Sequence, residues 1–278
     1  MRLGTVHNGG HDRLAVFDER GIACLDHGTD LRGLLLADAD IATLCRTAQP
    51  LHKSEWELGA PLRPGKIVAI GLNYRDHARE AKIEPPERPL IFAKFPTAVI
   101  GPEEPISIDP LLVQRADWEV ELAVVVGRRM RHVDAAEALS YVFGYTAAND
   151  VSGRDAQFAD GQWVRGKSFD TFCPLGPVIV TADELPDPQA LALRTRVNGE
   201  TVQDSSTSEM IFSVAELLAY CSRSFTLEPG DVVLTGTPWG CGEFMEPRRF
   251  LRPGDVVEVE VEGIGMLRNP VVAGGANP

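Results

Sequence analysis

Cysteine pairs are missing from this chain. Its five cysteines, Cys24, Cys45, Cys173, Cys221 and Cys241, are scattered, and none stands in a CxxC spacing. An odd count with no secretory leader reads as reduced thiols in a cytoplasmic protein, most of them buried as small apolar residues. Positive charge is also scarce: 27 Lys and Arg face 40 Asp and Glu, a formal charge of −13. That balance argues against nucleic acid or an anionic membrane as the main partner. No apolar run is long enough to span a bilayer. What is abundant is turn chemistry. Twenty prolines and 26 glycines, with 44% hydrophobic residues, imply a loop-rich and strand-rich protein rather than a helical bundle. The 278 residues suit one large domain, or a domain with a small appendage, and can bury a sizeable core.

The first 62 residues differ from the rest. "RLAVFD" and "IACL" read as short strands joined by a turn at Glu19-Arg20-Gly21, and "DLRGLLLADADIATLCRTA" has helical spacing. A loop containing "GAPLRPGK" then marks a boundary. The reading is a small N-terminal lobe over 1–62 and a main domain over 63–278. Three copies of Pro-Gly before a Val/Ile run, in "LRPGKIVAIG", "LEPGDVVLTG" and "LRPGDVVEVEVEG", predict tight turns launching buried strands. Further strands are expected at 90–95, 118–127, 142–150 and 176–182, and a hairpin at 193–207 turning on Asn198-Gly199. Helices fit 76–82, 134–140 and 211–223. Strands dominate without regular alternation, which gives an α+β, predominantly β fold and argues against a doubly wound parallel sheet.

The segment "DWEVELAVVVG" (117–127) carries the chemistry. Side chains alternate along a strand, so Asp117, Glu119, Glu121, Ala123 and Val125 share one side, and Trp118, Val120, Leu122, Val124 and Val126 share the other. Water would be the ordinary explanation for the acidic side. Yet that side turns apolar at Ala123, and no Lys or Arg offsets the three charges before Arg128. Like charges on one face repel, and a divalent cation relieves this. Carboxylate oxygens suit Mg²⁺, Mn²⁺ or Ca²⁺ rather than zinc. Asp150, at the end of the next strand, is positioned either as a further ligand or as an Asx-turn or helix-cap residue.

Seven stretches in order resemble the fumarylacetoacetate hydrolase family: "IGLNYRDHARE" (70–80), "FAKFPTAVIG" (92–101), "DWEVELAVVVG" (117–127), "GYTAANDVSGRDAQ" (144–157), "RGKSFDTFCPLGP" (165–177), "VNGETVQDSST" (197–207) and "LTGTPWGCG" (234–242). They cover most of the chain after residue 60. The resemblance implies that family's mixed β-sandwich or β-roll catalytic domain, with a small N-terminal α/β lobe. It implies Glu119, Glu121 and Asp150 as ligands of Mg²⁺ or Mn²⁺, with about three octahedral positions left for water and substrate. Asp117 matches no ligand position and is read as lying behind the ligands or in solvent. His77 and Glu80 become a base and its orienting carboxylate on a mobile segment that closes over the metal, with 81–89 as its trailing part. Lys167 is implied as a substrate contact or a stabiliser of negative charge. Arg154, Gln157 and Thr237 are implied as substrate-binding, with Lys94 and Tyr74 as weaker candidates.

For such a site the resemblance implies hydrolysis of a C–C bond in a 2,4-dioxo acid of acylpyruvate or fumarylpyruvate type, leaving pyruvate enolate on the metal. Related chemistry supplies alternatives. One is oxaloacetate decarboxylation. Another is isomerisation of 2-hydroxyhepta-2,4-diene-1,7-dioate or isomerisation and decarboxylation of 5-carboxymethyl-2-hydroxymuconate, as in aromatic catabolism. A non-enzymatic alternative is an idle module that binds metal and a small acid. The partner expected is a small oxo acid, and the family habit implies a homodimer. The loop 243–250 either lines the pocket rim or packs at a subunit interface.

Overall fold

The computed structural model describes the chain except residues 9, 20, 26–29, 52–55 and 276–278, and the side chain of Asn8. The turn expected at 19–21 includes Arg20 and so lies partly outside the described residues. The protein is mixed α+β and mostly β. A 12-stranded sheet runs, from one edge, through Gln49–Leu51, Gly21–Cys24, His11–Asp18, Arg2–Asn8, Cys173–Thr181, Val142–Asn149, Val120–Val126, Val232–Leu234, Ile67–Gly71 and Leu90–Lys94. Glu57–Gly59 and Val99–Ile100 pair beside this path. A second sheet holds Glu200–Ser206, Ala192–Val197, Val256–Val261, Gly265–Ala273 and Ile106–Ile108. Most pairings are antiparallel, with parallel exceptions such as Val232–Leu234 on Ile67–Gly71.

Arg2–Asn8 carries no clear alternation in sequence. It becomes a strand by pairing, with Arg2 opposite Val180 and Leu3 opposite Ile179 on one side and the His11–Asp18 strand on the other. The hairpin at 193–207 forms as expected, with Asn198 at φ 54° and Gly199 at φ 81° in its turn. Two of the three Pro-Gly turns use a left-handed glycine, Gly230 at φ 78° and Gly254 at φ 99°. Gly65 does not. A side chain there would meet Arg32 and Asp231 instead, so this glycine serves close packing. The helix expected at 211–223 is Val214–Ser224, delayed because Ser213 and Glu216 close a reciprocal capping box.

The strand Val120–Val126 lies in the middle of the main sheet and is buried throughout. Trp118, Val120, Leu122, Val124 and Val126 pack into a core shared with Leu193, Val257 and Val259 of the second sheet. Ala123 and Val125 enter a different core with Leu3, Leu31, Ile67 and Ile179, which lies toward the N-terminal elements. Each fully buried aliphatic side chain contributes about 1.5–3 kcal/mol. The same burial makes any unpaired charge on this strand costly by several kcal/mol. The carboxylates at its start must therefore be paired with cations or keep their protons.

Candidate active site

The ordered strand begins at Val120, two residues later than the hydrophobic pattern suggests. Side-chain oxygens take over the ladder at its mouth: Glu119 N donates to Asn149 Oδ1 at 3.0 Å, and Val120 N to Gln203 Oε1 at 3.0 Å. Opposite, Asp150 N donates to the Glu119 carbonyl at 2.9 Å. Glu119 and Asp150 thus sit at the open ends of two paired strands, and Glu121 lies two residues deeper, opposite Ala148. Oxygens from all three carboxylates lie within 4.8 Å of one another, and all three residues are buried.

Cations crowd the triad. Lys167 Nζ is 2.7 Å from both Glu119 Oε2 and Asp150 Oδ2. Lys94 Nζ is 2.6 Å from Asp150 Oδ1, and Arg154 Nη2 is 2.7 Å from Glu119 Oε1. Asp117 is fully buried rather than solvated. It accepts from Arg154 and from the backbone N–H groups of Trp118, Gly242 and Glu243. Four buried carboxylates, Asp117, Glu119, Glu121 and Asp150, therefore meet three buried cations, Lys94, Arg154 and Lys167, which leaves one negative charge uncompensated.

That charge falls on Glu121. Among the described residues no cation forms an ion pair with it, and its hydrogen bond comes from Gly236 N at 2.7 Å. Gly236 holds this position at φ 95°, where a side chain would also strike Asn73. Burial pushes the Glu121 carboxyl well above the usual range, and the neighbouring Asp150 and Glu119 charges push it further. At Glu119 burial acts in the same direction, but Lys167 and Arg154 outweigh it and bring the carboxyl down to about 2. Lys167 is the mirror case. Burial lowers it, yet Asp150 and Glu119 raise it above the ordinary lysine range. An all-oxygen, electron-rich triad lacking one positive charge fits a hard divalent cation.

The triad opens onto a cavity of about 100 Å³, lined by His77, Glu119, Arg154, Gln157, Lys167 and Thr237 among others. Its remaining wall is apolar, with Phe92, Phe158, Trp163 and Phe244. Larger cavities of about 410 and 710 Å³ elsewhere lack this combination of carboxylate, imidazole and ammonium. His77 and Glu80 lie on the helix Arg75–Ala81, and Glu80 Oε2 meets His77 Nδ1 at 3.2 Å. The helix is pinned at its start, where Asn73 exchanges hydrogen bonds with Phe212 and donates to the Thr235 carbonyl. Its far side is tied by Gly240 N to Glu80 Oε1 at 2.9 Å. Of residues 81–89, expected to trail a lid, Ala81 ends the helix and the rest contain no helix or strand.

All nine site residues expected from sequence lie at this site, though Glu80, Glu121 and Asp150 do not themselves line the cavity. Arg154 and Gln157 share the helix Arg154–Asp160, with Arg154 Nη1 donating to Gln157 Oε1 at 2.9 Å. Thr237 Oγ1 accepts from Gln203 Nε2 at 3.0 Å. Lys94 has a closer part than its sequence rank suggested. The signal was a lone lysine in the otherwise apolar "LIFAK", a buried charge that required a partner. Gln203 and Asn149, which replace ladder bonds at the strand mouth, had no distinguishing signal. The loop 243–250 contributes Phe244 to the cavity, its ring 5.2 Å from that of His77 and nearly perpendicular to it.

Comparison with known proteins identifies the family and the fold. The profile described as fumarylacetoacetate (FAA) hydrolase C-terminal matches residues 66–272. "Oxaloacetate tautomerase Fahd2a, mitochondrial" of Rattus norvegicus is 48% identical over 224 residues, covering 80% of this chain and 71% of that protein. A solved fumarylacetoacetate hydrolase from Exiguobacterium antarcticum superposes with a TM-score of 0.89 at 38% identity, covering 99% of this chain and all of that one. A 5-carboxymethyl-2-hydroxymuconate delta-isomerase from Mycobacterium smegmatis does so with a TM-score of 0.81 at 40% identity, over 99% of this chain and all of its own. With most of its length matched in sequence and nearly all of it in structure, the chain belongs to the fumarylacetoacetate hydrolase family.

Proposed function

We propose that the protein catalyses keto–enol tautomerisation of a short dicarboxylic 2-oxo acid of the oxaloacetate type. The observation that carries the reading is one imidazole, His77, facing a small cavity beside a buried carboxylate triad. Glu119, Glu121 and Asp150 would hold Mg²⁺ or Mn²⁺. Bound there, the cation supplies Lewis-acid stabilisation of negative charge at the 2-oxo group. The protein's own residues then handle protons and position. Glu80 engages His77 Nδ1, which leaves Nε2 as the basic atom. Nε2 removes a proton from the carbon beside the oxo group and returns it to the oxygen, so no atoms are gained or lost. Lys167 and Arg154 line the cavity and offer N–H groups toward the substrate carboxylates, and Thr237 offers a hydroxyl at the cavity wall.

Hydrolysis of a 2,4-dioxo acid would use the same groups, with His77 activating a water that attacks the distal carbonyl. It needs room for a longer acid and for that water. A cavity of about 100 Å³, narrowed by Phe244, favours the smaller substrate without added water. The names of relatives such as the rat oxaloacetate tautomerase support the same choice. The test is an assay of enol disappearance with oxaloacetate and Mg²⁺ or Mn²⁺, with and without EDTA. Parallel assays follow C–C cleavage of acylpyruvates and CO₂ release. Metal-dependent acceleration of tautomerisation is expected. Cleavage or decarboxylation without it would overturn the reading.

A further inference from the structure

Above the carboxylate triad lies a second group of ligating atoms with different chemistry. A ring nitrogen of His77, a carboxylate oxygen of Glu80 and the Sγ of Cys241 all fall within 4.8 Å of one another. His77 and Cys241 are buried, and Glu80 is half-buried. Two segments build the group: the helix Arg75–Ala81 supplies two donors and the loop after Thr237 the third. The hydrogen bond from Gly240 N to Glu80 locks these segments together one residue from the sulfur. Among the described residues, the polar partners of Cys241 Sγ are loose: the Pro238 carbonyl at 3.9 Å and Gln203 Nε2 at 4.0 Å.

We propose that His77, Glu80 and Cys241 form an inhibitory site for a borderline or soft d¹⁰ cation such as Zn²⁺ or Cd²⁺, separate from the hard-cation site at Glu119, Glu121 and Asp150. Nitrogen, oxygen and sulfur together are the donor set that zinc prefers, at bond lengths of about 2.0–2.3 Å. Tetrahedral donors at those lengths stand about 3.5 Å apart, so the three atoms need to close by little more than an ångström. Mg²⁺ gains nothing from sulfur, and the oxygen triad offers a soft ion none. Donor chemistry therefore sorts the two ions between adjacent sites. Binding releases the Cys241 thiol proton to solvent and draws His77 into coordination. The inhibitory consequence rests on the proposed role of His77 as base, whereas the site itself does not.

The experiment titrates Cd²⁺ into the full-length protein already saturated with Mg²⁺. It reads the near-ultraviolet thiolate-to-cadmium absorption and, separately, the rate of oxaloacetate tautomerisation. One equivalent should produce the band and reduce the rate by about a hundredfold, the effect of withdrawing a general base. Cys241→Ser and Cys241→Ala should abolish both effects while turning over at the wild-type rate without Cd²⁺. Cys221→Ser should retain them. A band that survives both Cys241 substitutions would overturn the proposal. So would inhibition that is equal in wild type and Cys241→Ser and relieved by excess Mg²⁺, because the ion would then act at the carboxylates. If the Cys241-dependent band appears but no oxo acid is turned over, the site stands and the tautomerase reading fails. If oxaloacetate is turned over and no band forms, this inference alone fails.

Discussion

Arg154 and Asp117 form a buried pair in which Nε and Nη2 of the guanidinium lie 2.9 and 2.7 Å from the same carboxylate oxygen, Oδ2. The pair fixes Arg154 beside Glu119, and Asp117 Oδ1 also accepts from Gly242 N at 2.7 Å. One side chain thus anchors the helix that carries Arg154, the start of the carboxylate strand and the loop that carries Phe244. Removing one partner of such a pair leaves an uncompensated buried charge. Asp117→Ala should lower unfolding free energy by about 3–5 kcal/mol in urea denaturation. A loss below about 1 kcal/mol, the scale of an exposed pair, would contradict this account.

His77 lies over the cavity but makes none of the contacts that hold the triad. His77→Ala should reduce turnover by about 10²–10⁴-fold, while Mn²⁺ affinity measured by calorimetry stays close to wild type. Glu121→Gln should do the reverse at subsaturating metal, lowering affinity first. A His77→Ala protein that binds metal poorly would place the imidazole among the ligands.

Acid–base behaviour of the metal-free protein follows from two opposite shifts. Glu121 is pushed up by burial and by Asp150 and Glu119, so its native form holds a proton that the unfolded chain releases. Its contribution to stability is complete below the ordinary carboxylate value and disappears as pH rises through the raised native value. Glu119, brought down to about 2, contributes above the ordinary carboxylate value and loses that contribution as pH falls toward about 2. Thermal unfolding without metal should therefore show Tm declining as pH rises above the ordinary carboxylate range. Mg²⁺ should raise Tm more at the alkaline end, and Glu121→Gln should flatten the slope. A metal-induced rise that is the same at every pH would refute the assignment to Glu121.

Phe244 closes the cavity against the His77 ring. Phe244→Ala should open space for longer acids, raising kcat/KM for acylpyruvates relative to oxaloacetate. Truncating a buried phenylalanine commonly costs about 3–5 kcal/mol, but Phe244 is only half-buried, so the loss of stability should be smaller. Unchanged preference across acids of different length would remove Phe244 from substrate selection.

Metal removal gives the simplest check. Dialysis against EDTA should abolish tautomerisation, and Mn²⁺ or Mg²⁺ should restore it without refolding. Each carboxylate of the triad already has a protein hydrogen-bond donor: Lys167 for Glu119 and Asp150, and Gly236 N for Glu121. Circular dichroism should accordingly show a folded protein throughout. Collapse of the fold on chelation would mean that the cation is structural.

Much was legible in the sequence because strand periodicity is local. The alternation from Trp118 to Val126 correctly separated two faces, and tertiary structure sends them into two different cores. Pro-Gly and Asn-Gly turns announced where strands begin and reverse, since their backbone preferences depend on few neighbours. Illegible were the contacts between segments 83 to 178 residues apart. Gln203 replaces a ladder bond at Val120, Asp117 ties down Gly242, and Arg2–Asn8 becomes a strand through Cys173–Thr181.

Residue types and their order determined which groups are able to bind a hard cation and which is able to carry a proton near neutrality. That capacity is chemical and travels with the side chain. The tertiary fold decided how those groups share charge. It buried four acids with three bases, left Glu121 without an ion-pair partner among the described residues, and set Phe244 and Cys241 around the same imidazole, that of His77. Such balances depend on distance and exclusion of water, and neither exists until segments remote in the chain have packed together.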